Sequence, residues 1–347
     1  MQWQRCEVLV TGGASFIGSH LVDSLVERGA RVRVADDLSS GIQPNIQRHL
    51  DEGNVEFIQG DLREPGLARR AVQGMRVVFH LAADHGGRGY VDTHQAGPAS
   101  NLMLDGLVFW EALQAGVDKV VFASSGCVYP NYLQADVNEE LYLTEDKVIS
   151  PFDADNMYGW AKLMGEWTLQ AYHQEYGLKA ASCRYFTVYG PRAKENHAVL
   201  AMTARSFVGQ DPFEVWGDGT QVRNWTHVDD IVEGTILAGG KIDDGTAINL
   251  GTMERIRVID AVHMVLEMTG HQAEIRFKPE MPTGPKNRVA DNSLAKSMLG
   301  WEPQVSFRDG LRRTIEWYYS HKDRAEVQRI LEAGGFIARK VPSSAAS

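Results

Sequence analysis

Short apolar runs, most of them rich in β-branched residues, recur through the first half of the chain, with longer amphipathic stretches between them. Residues 8–10, 31–35, 55–59, 77–81, 119–123 and 180–185 read as strands. Residues 17–28 and 101–115 read as helices, closed by Gly29 and Gly116 in the C-terminal cap position. Regular strand–helix alternation predicts an α/β fold with a doubly wound parallel sheet. After Tyr189-Gly190-Pro191 the alternation weakens. A tight turn at 216–219, a helix over 229–238 and one more strand over 247–250 are still readable. Residues 279–285 are proline-rich and suit a surface wrap, 309–319 suit a closing helix, and 331–347 form a tail rich in small residues at its end. No internal repeat is present.

A length of 347 residues suits one large domain or two closely joined ones. A hydrophobic share of 44% and a charged share of 23% are ordinary for a soluble globular protein. The formal net charge of -10 argues against a nucleic-acid surface, so an anionic ligand must be met by a few local cations and helix ends. The three cysteines, Cys6, Cys127 and Cys183, are widely spaced; they build no disulfide framework and suggest no metal site. The first strand begins almost at once, leaving no room for a signal peptide, and no apolar run is long enough for a membrane span. A cytoplasmic protein is the expectation.

Two local patterns carry chemistry. Thr11-Gly-Gly-Ala-Ser-Phe-Ile-Gly18 follows the first apolar run and opens a helix. Glycines there let the backbone turn tightly against a pyrophosphate, and the helix supplies free N–H groups at its positive end. Gly12 and Gly18 take the glycine roles, Ser15 stands in the middle one, and Phe16 and Ile17 begin the helix. Asp36 ends the second strand, where a carboxylate accepts hydrogen bonds from ribose hydroxyls and repels a 2′-phosphate, favouring NAD over NADP. Asp61 and Leu62, after the third strand, are placed for adenine. The sheet is therefore expected to be of the Rossmann type, with a smaller, discontinuous C-terminal substrate domain. The expected division is 1–190 plus 226–252 for the cofactor and 191–225 plus 253–330 for the substrate.

The second pattern is Tyr158 and Lys162, four apart on a predicted helix, with Ser124-Ser125-Gly126-Cys127 at the end of the fifth strand. A phenol ordinarily titrates near pH ~10. A nearby ammonium and a positive nicotinamide would lower that value and let Tyr158 take a hydroxyl proton as a hydride leaves the same carbon. Ser125 can hydrogen-bond the same oxygen. Taken alone, Cys127 is a small buried hydrophobe.

These stretches, with Phe79-His-Leu-Ala-Ala83 and Arg184-Tyr-Phe-Thr-Val-Tyr-Gly-Pro191, resemble the extended short-chain dehydrogenase/reductase family over residues 6–320. Within its nucleotide-sugar epimerase branch the chain is most similar to the GDP-mannose 3,5-epimerase group. The likeness lies in residues 125–130, 83–90, 213–230 and 288–292. The resemblance implies a bound NAD, with Leu81, Ala83 and Tyr185 among its contacts, and a nucleotide-diphosphate sugar oxidised transiently at C4. It assigns acid–base work at C3 and C5 to Cys127 and to a lysine; here Asn196 or His197 stands in the lysine's place. It places His85, Gly87, Arg88, Ser125, Thr187 and Trp216 at the sugar, with Thr187 replacing an asparagine, and makes Arg223 and Arg288 a diphosphate clamp. It also implies a homodimer. A C4-only epimerase stays open. A 4,6-dehydratase would need an Asp-Glu pair where Gly126-Cys127 stands, and a non-catalytic NAD-binding sensor would not require Tyr158 and Lys162.

Overall fold

The computed structural model describes residues 3–333, so most of the predicted tail lies outside the described residues. Its centre is a seven-stranded sheet: β1 (Glu7–Thr11), β2 (Arg31–Asp36), β3 (Val55–Gln59), β4 (Val77–His80), β5 (Lys119–Ser125), β6 (Lys179–Tyr185) and β7 (Asp244–Leu250). The spatial order is β3-β2-β1-β4-β5-β6-β7, and every pair is parallel. Chain progression reverses between β1 and β4, which opens a crevice at the carboxyl ends of those strands.

Both sheet faces are covered. Val8 and Val10 pack into one apolar layer with Leu21, Val22 and Leu25 of α1 (Phe16–Glu27), while Leu9 faces the other. That second layer takes Val108 and Phe109 of α2 (Asn101–Gln114) and Leu169 of α3 (Asn156–Tyr176). Alternate side chains of one strand feed opposite layers, as a period of two requires. Gly29 and Gly116 have φ of 78° and 70°, so both helices end where the glycines predicted. β5 runs two residues beyond its predicted end, because Ser124 and Ser125 pair in register with Arg184 and Tyr185.

Beyond residue 190 there is more structure than the pattern showed. Helices α4 (Ala198–Val208), α6 (Val258–Thr269) and α7 (Phe307–His321) surround three small sheets, while α5 (Val228–Lys241) packs into the central apolar layer beside α1. Thr187–Tyr189 pairs with Trp225–His227, and Phe213–Trp216 with Ile275–Lys278. Val222–Arg223 lies between Ile256–Arg257 and Asn287–Arg288. Strands of two to four residues are too short to display a period. They pack around their own apolar cluster, with Trp225 stacked on Phe307 at 5.1 Å. Among the described residues no helix is long and apolar enough to cross a membrane, and no group of three or more His, Cys, Asp and Glu side chains could hold a metal ion.

One buried ion pair ties three elements together. Glu166 of α3 accepts from Arg184 Nε (2.9 Å) and Nη2 (2.8 Å) of β6, and from the Ser124 hydroxyl of β5 (2.5 Å). Arg184 also donates to the Tyr129 hydroxyl, which in turn donates to Asn249 on β7. Truncating one member strands a buried charge. Glu166→Ala is expected to cost about 3–5 kcal/mol in urea denaturation, and a loss below about 1 kcal/mol would contradict this account.

Candidate active site

The glycine loop turns directly off β1. Gly12 has φ +69°, and a Cβ there would stand 2.9 Å from the Ala82 amide nitrogen. At Gly18 a Cβ would meet the Gly12 carbonyl oxygen at 2.1 Å, so α1 can start this close to β1 only with glycine at that position. Ser15 caps α1 with φ −88°, an ordinary value for a non-glycine residue. Its hydroxyl donates to the Gly12 carbonyl (2.6 Å) and so braces the loop, which leaves the first-turn amides of Phe16, Ile17 and Gly18 to serve an anion.

Asp36 is buried at the end of β2 and accepts from the amides of Ala14 (3.0 Å) and Leu38 (2.8 Å). Burial pushes its carboxyl up, and those amides pull it down. One carboxylate thus holds the loop in shape while keeping lone pairs for ribose hydroxyls. The adjoining cleft is lined by Gly12, Ser15, Asp36, Asp61, Leu62 and Leu81, with Ala83 and His85 farther along. This lining suits the adenosine half of a dinucleotide in its chemistry. The Asp61 carboxylate is gripped by Arg63, which also reaches the Ser100 hydroxyl; Arg63 was not foreseen as part of this wall. Tyr185, expected among the cofactor contacts, packs into the core with its hydroxyl paired to Thr235 (2.8 Å).

At the end of β5 the reactive residues come together. The Asp155 amide donates to the Cys127 carbonyl (2.8 Å), and a Cβ at Gly159 would lie 2.3 Å from that same oxygen. The first turn of α3 is therefore seated directly on the residues after β5. This brings Tyr158 beside Ser125, whose hydroxyl favours the phenolate and whose oxygen also accepts from the Cys127 amide (3.1 Å). Lys162 is buried one turn along, 4.5 Å from the Phe122 ring centroid and 5.8 Å from that of Tyr158. Its Nζ has no hydrogen-bond partner among the described residues.

Burial pushes the Tyr158 phenol up and the Lys162 ammonium down. The expected lowering of Tyr158 is thus absent in the protein alone. Lys162 lies over the rings of Phe122 and Tyr158, and burial sets the direction of the Tyr158 shift. The positive charge of an oxidised nicotinamide is the contribution still to be added.

The predicted clamp arginines form a cluster with a third. Arg288 donates to Gln134 (2.6 Å), to Cys127 Sγ (3.2 Å) and to Asp155 (2.9 Å). Arg88 grips both oxygens of Asp155 (3.0 and 2.8 Å) and also pairs with Asp92. Arg223 donates to the carbonyls of Val222 and Thr283 (both 2.8 Å), and burial beside Arg288 and Arg88 pulls it down to about 9. Asp155 organises this cluster and was not singled out from sequence, although its position just before a helix was a readable capping signal.

The remaining predicted residues lie along two touching loops. A Cβ at Gly87 would strike the Asn196 carbonyl, and the rings of His85 and His197 are 6.2 Å apart. Burial and nearby Lys194 hold His197 down at about 4. The amide oxygen of Asn196 is buried with no hydrogen-bond partner among the described residues. Thr187 begins the short strand beside Trp225, and Trp216 ends the strand before the glycine turn. Asp229 and Asp230 occupy the first turn of α5, as expected; Asp230 accepts from the amides of Gln304 and Val305.

Comparison with known proteins gives a consistent result. Residues 8–251 match the NAD dependent epimerase/dehydratase family. GDP-mannose 3,5-epimerase 1 of Oryza sativa subsp. japonica is 30% identical over 348 residues, covering 99% of this chain and 89% of the relative. UDP-glucose 4-epimerase of Thermotoga maritima, solved with UDP-glucose, superposes with a TM-score of 0.80 at 33% identity, covering 90% of this chain and 98% of that one. The UDP-glucose 4-epimerase of Thermus thermophilus, solved with NAD, gives 0.81 at 30% identity, covering 91% and 99%.

The steric reading of the loop is testable by calorimetry. Gly18→Ala is expected to weaken NAD binding by more than about tenfold, some 1.4 kcal/mol. Gly106→Ala is the control: its Cβ meets nothing within 4 Å, so binding stays unchanged. Equal affinity in the Gly18 variant would refute the close-approach argument.

Proposed function

Since the chain belongs to the NAD dependent epimerase/dehydratase family, we propose that it inverts a carbon of a nucleotide-diphosphate sugar through transient oxidation at C4. The relative and the two solved structures named above are nucleotide-sugar epimerases. NAD is the cofactor, and when bound it accepts a hydride and returns it. The observation that carries the reading is the Tyr158–Ser125 hydroxyl pair beside buried Lys162, at the same sheet edge as the glycine loop.

In this reading Tyr158 takes the proton of the sugar 4-hydroxyl, with Ser125 hydrogen-bonded to the same oxygen, and gives it back when the hydroxyl reforms. Lys162 supplies positive charge below the phenolate. Arg223 and Arg288 meet the diphosphate as bidentate donors, and the surplus of guanidinium charge over Asp155 and Asp92 supports this. Residues 1–190 plus 226–252 would hold the cofactor and 191–225 plus 253–330 the substrate. The separate apolar cluster of the latter supports that division.

A second reading is favoured by one contact, the Arg288 N–H on Cys127 Sγ (3.2 Å). A ketone at C4 acidifies the hydrogens at C3 and C5, and the Cys127 sulfur, two residues from Ser125, is placed to take one. His197, held neutral down to about 4 by burial and Lys194, is a weak base.

One experiment separates these outcomes. Turnover of UDP-, GDP-, ADP- and dTDP-sugars in deuterated water is followed by NMR. The expected result is an inverted product with wild-type protein and a loss of about 10²-fold or more with Tyr158→Phe. Deuterium at C3 or C5, lost in Cys127→Ser, supports the thiol reading; inversion at C4 without deuterium removes it. No turnover with any sugar would overturn the epimerase reading itself.

The reading includes a cytoplasmic homodimer. Three unpaired cysteines suit a reducing compartment. Helices α2 and α3 pack together and present Leu102, Met103, Trp110 and Met164, each 42–53% exposed, which supports pairing through this face. Light scattering is expected to give a dimer mass, with Trp110→Glu shifting it toward monomer. A monomeric wild type would contradict this.

A further inference from the structure

Beneath the reactive pair lies a buried polar chain that the catalytic reading leaves unused. It begins at Thr11, the last residue of β1, whose hydroxyl oxygen accepts from the amides of Leu81 and Ala82 (3.1 Å each). Those bonds fill its lone pairs, so its own hydrogen is left for His80 Nδ1 at 2.7 Å. His80 must then carry its proton on Nε2, which lies 3.0 Å from Asp105 Oδ1 on α2. Burial holds the imidazole neutral, in keeping with that tautomer. The chain therefore ends by donating to a carboxylate and fixes its orientation.

The other carboxylate oxygen is turned toward α3. A Cβ at Gly165 would stand 3.4 Å from Asp105 Oδ2, and Gly165 is one turn beyond Lys162 on that helix. Asp105 Oδ2 and Lys162 Nζ are both buried and both without a hydrogen-bond partner among the described residues. Asp105 and Lys162 are 2% and 1% exposed. An isolated ammonium at this depth would shed its proton. Of the groups around it, Tyr158 and His80 are neutral, Phe122 offers only its ring face, and Glu166 is committed to Arg184 and Ser124. Asp105 alone among them brings uncommitted negative charge.

We propose that Asp105 is the counter-charge that keeps Lys162 an ammonium beneath Tyr158, held in position by the Thr11–His80 chain. It is a positioning residue: it touches neither sugar nor cofactor and acts through Lys162. Burial pulls the ammonium down, and the charge of Asp105 is what pulls it up. The same carboxylate disfavours phenolate at Tyr158 directly, so its benefit is exerted through the lysine. The proposal rests on the reading of Tyr158 and Lys162 as the proton-transfer pair.

The test reads the lysine itself. Protein labelled with ¹⁵Nζ-lysine is titrated by NMR, with Lys162→Met assigning the signal. Lys162 is expected to be an ammonium at pH 7 in the wild type, with its midpoint falling by about one pH unit in Asp105→Asn. Asp105→Glu is expected to restore it. A neutral Lys162 in the wild type at pH 7 overturns the proposal without any variant, and so does an unmoved midpoint in Asp105→Asn. If that variant does not fold, Asp105→Ser is read in the same way. No nucleotide sugar enters the measurement, so failed turnover would refute the epimerase reading while leaving this result to stand or fall alone.

Discussion

The structure depends on how α3 is seated on β5. At its start the helix is pinned by backbone: the Asp155 amide bonds the Cys127 carbonyl, and only a glycine at 159 lets the first turn come so near. Two turns later it is pinned by charge, with Glu166 fixed between Ser124 and Arg184. Tyr158 and Lys162 lie between those two fastenings, and their positions follow from them. Ser125 and Cys127 belong to the other side of the same joint. Tyr158 is thereby placed without any loop having to order itself around it.

A second constraint is set by the sheet. The order reverses between β1 and β4, so the loops following those strands diverge and leave a crevice that helices do not fill. Thr11 links the two walls, since its hydroxyl holds the amides after β4 and the ring of His80. The residue just before the glycine loop is therefore also the first member of the chain that ends at Asp105. Cofactor loop and reactive helix are mechanically separate, yet they share this buried polar floor.

How much of this was readable in the sequence depended on range. The central strands were plain because both faces are buried, which writes a nearly continuous apolar run into each. The small sheets were not, because Val222–Arg223 pairs with Asn287–Arg288 and a two-residue strand carries no pattern. The site divides the same way. Gly12, Gly18, Tyr158 and Lys162 were visible because their spacing is local. Asp155 was missed because its meaning lies in Arg88 and Arg288, 67 and 133 residues away. Asp105 lies inside the predicted helix 101–115 with no spacing to mark it, and only the fold turns its second oxygen toward α3.

The arginine cluster depends on distant partners. The resemblance makes Arg288 a phosphate donor, and in the fold it also bonds Gln134, Cys127 and Asp155. A diphosphate approaching it must share the guanidinium with the thiol. A bidentate grip on phosphate uses the same N–H groups that now point at sulfur. If the proposed diphosphate binds here, its oxygens compete with Sγ for those donors. An acidic protein carrying a net charge of -10 concentrates three guanidiniums at this one place, so the attraction for the diphosphate and the restraint on Cys127 come from the same charges.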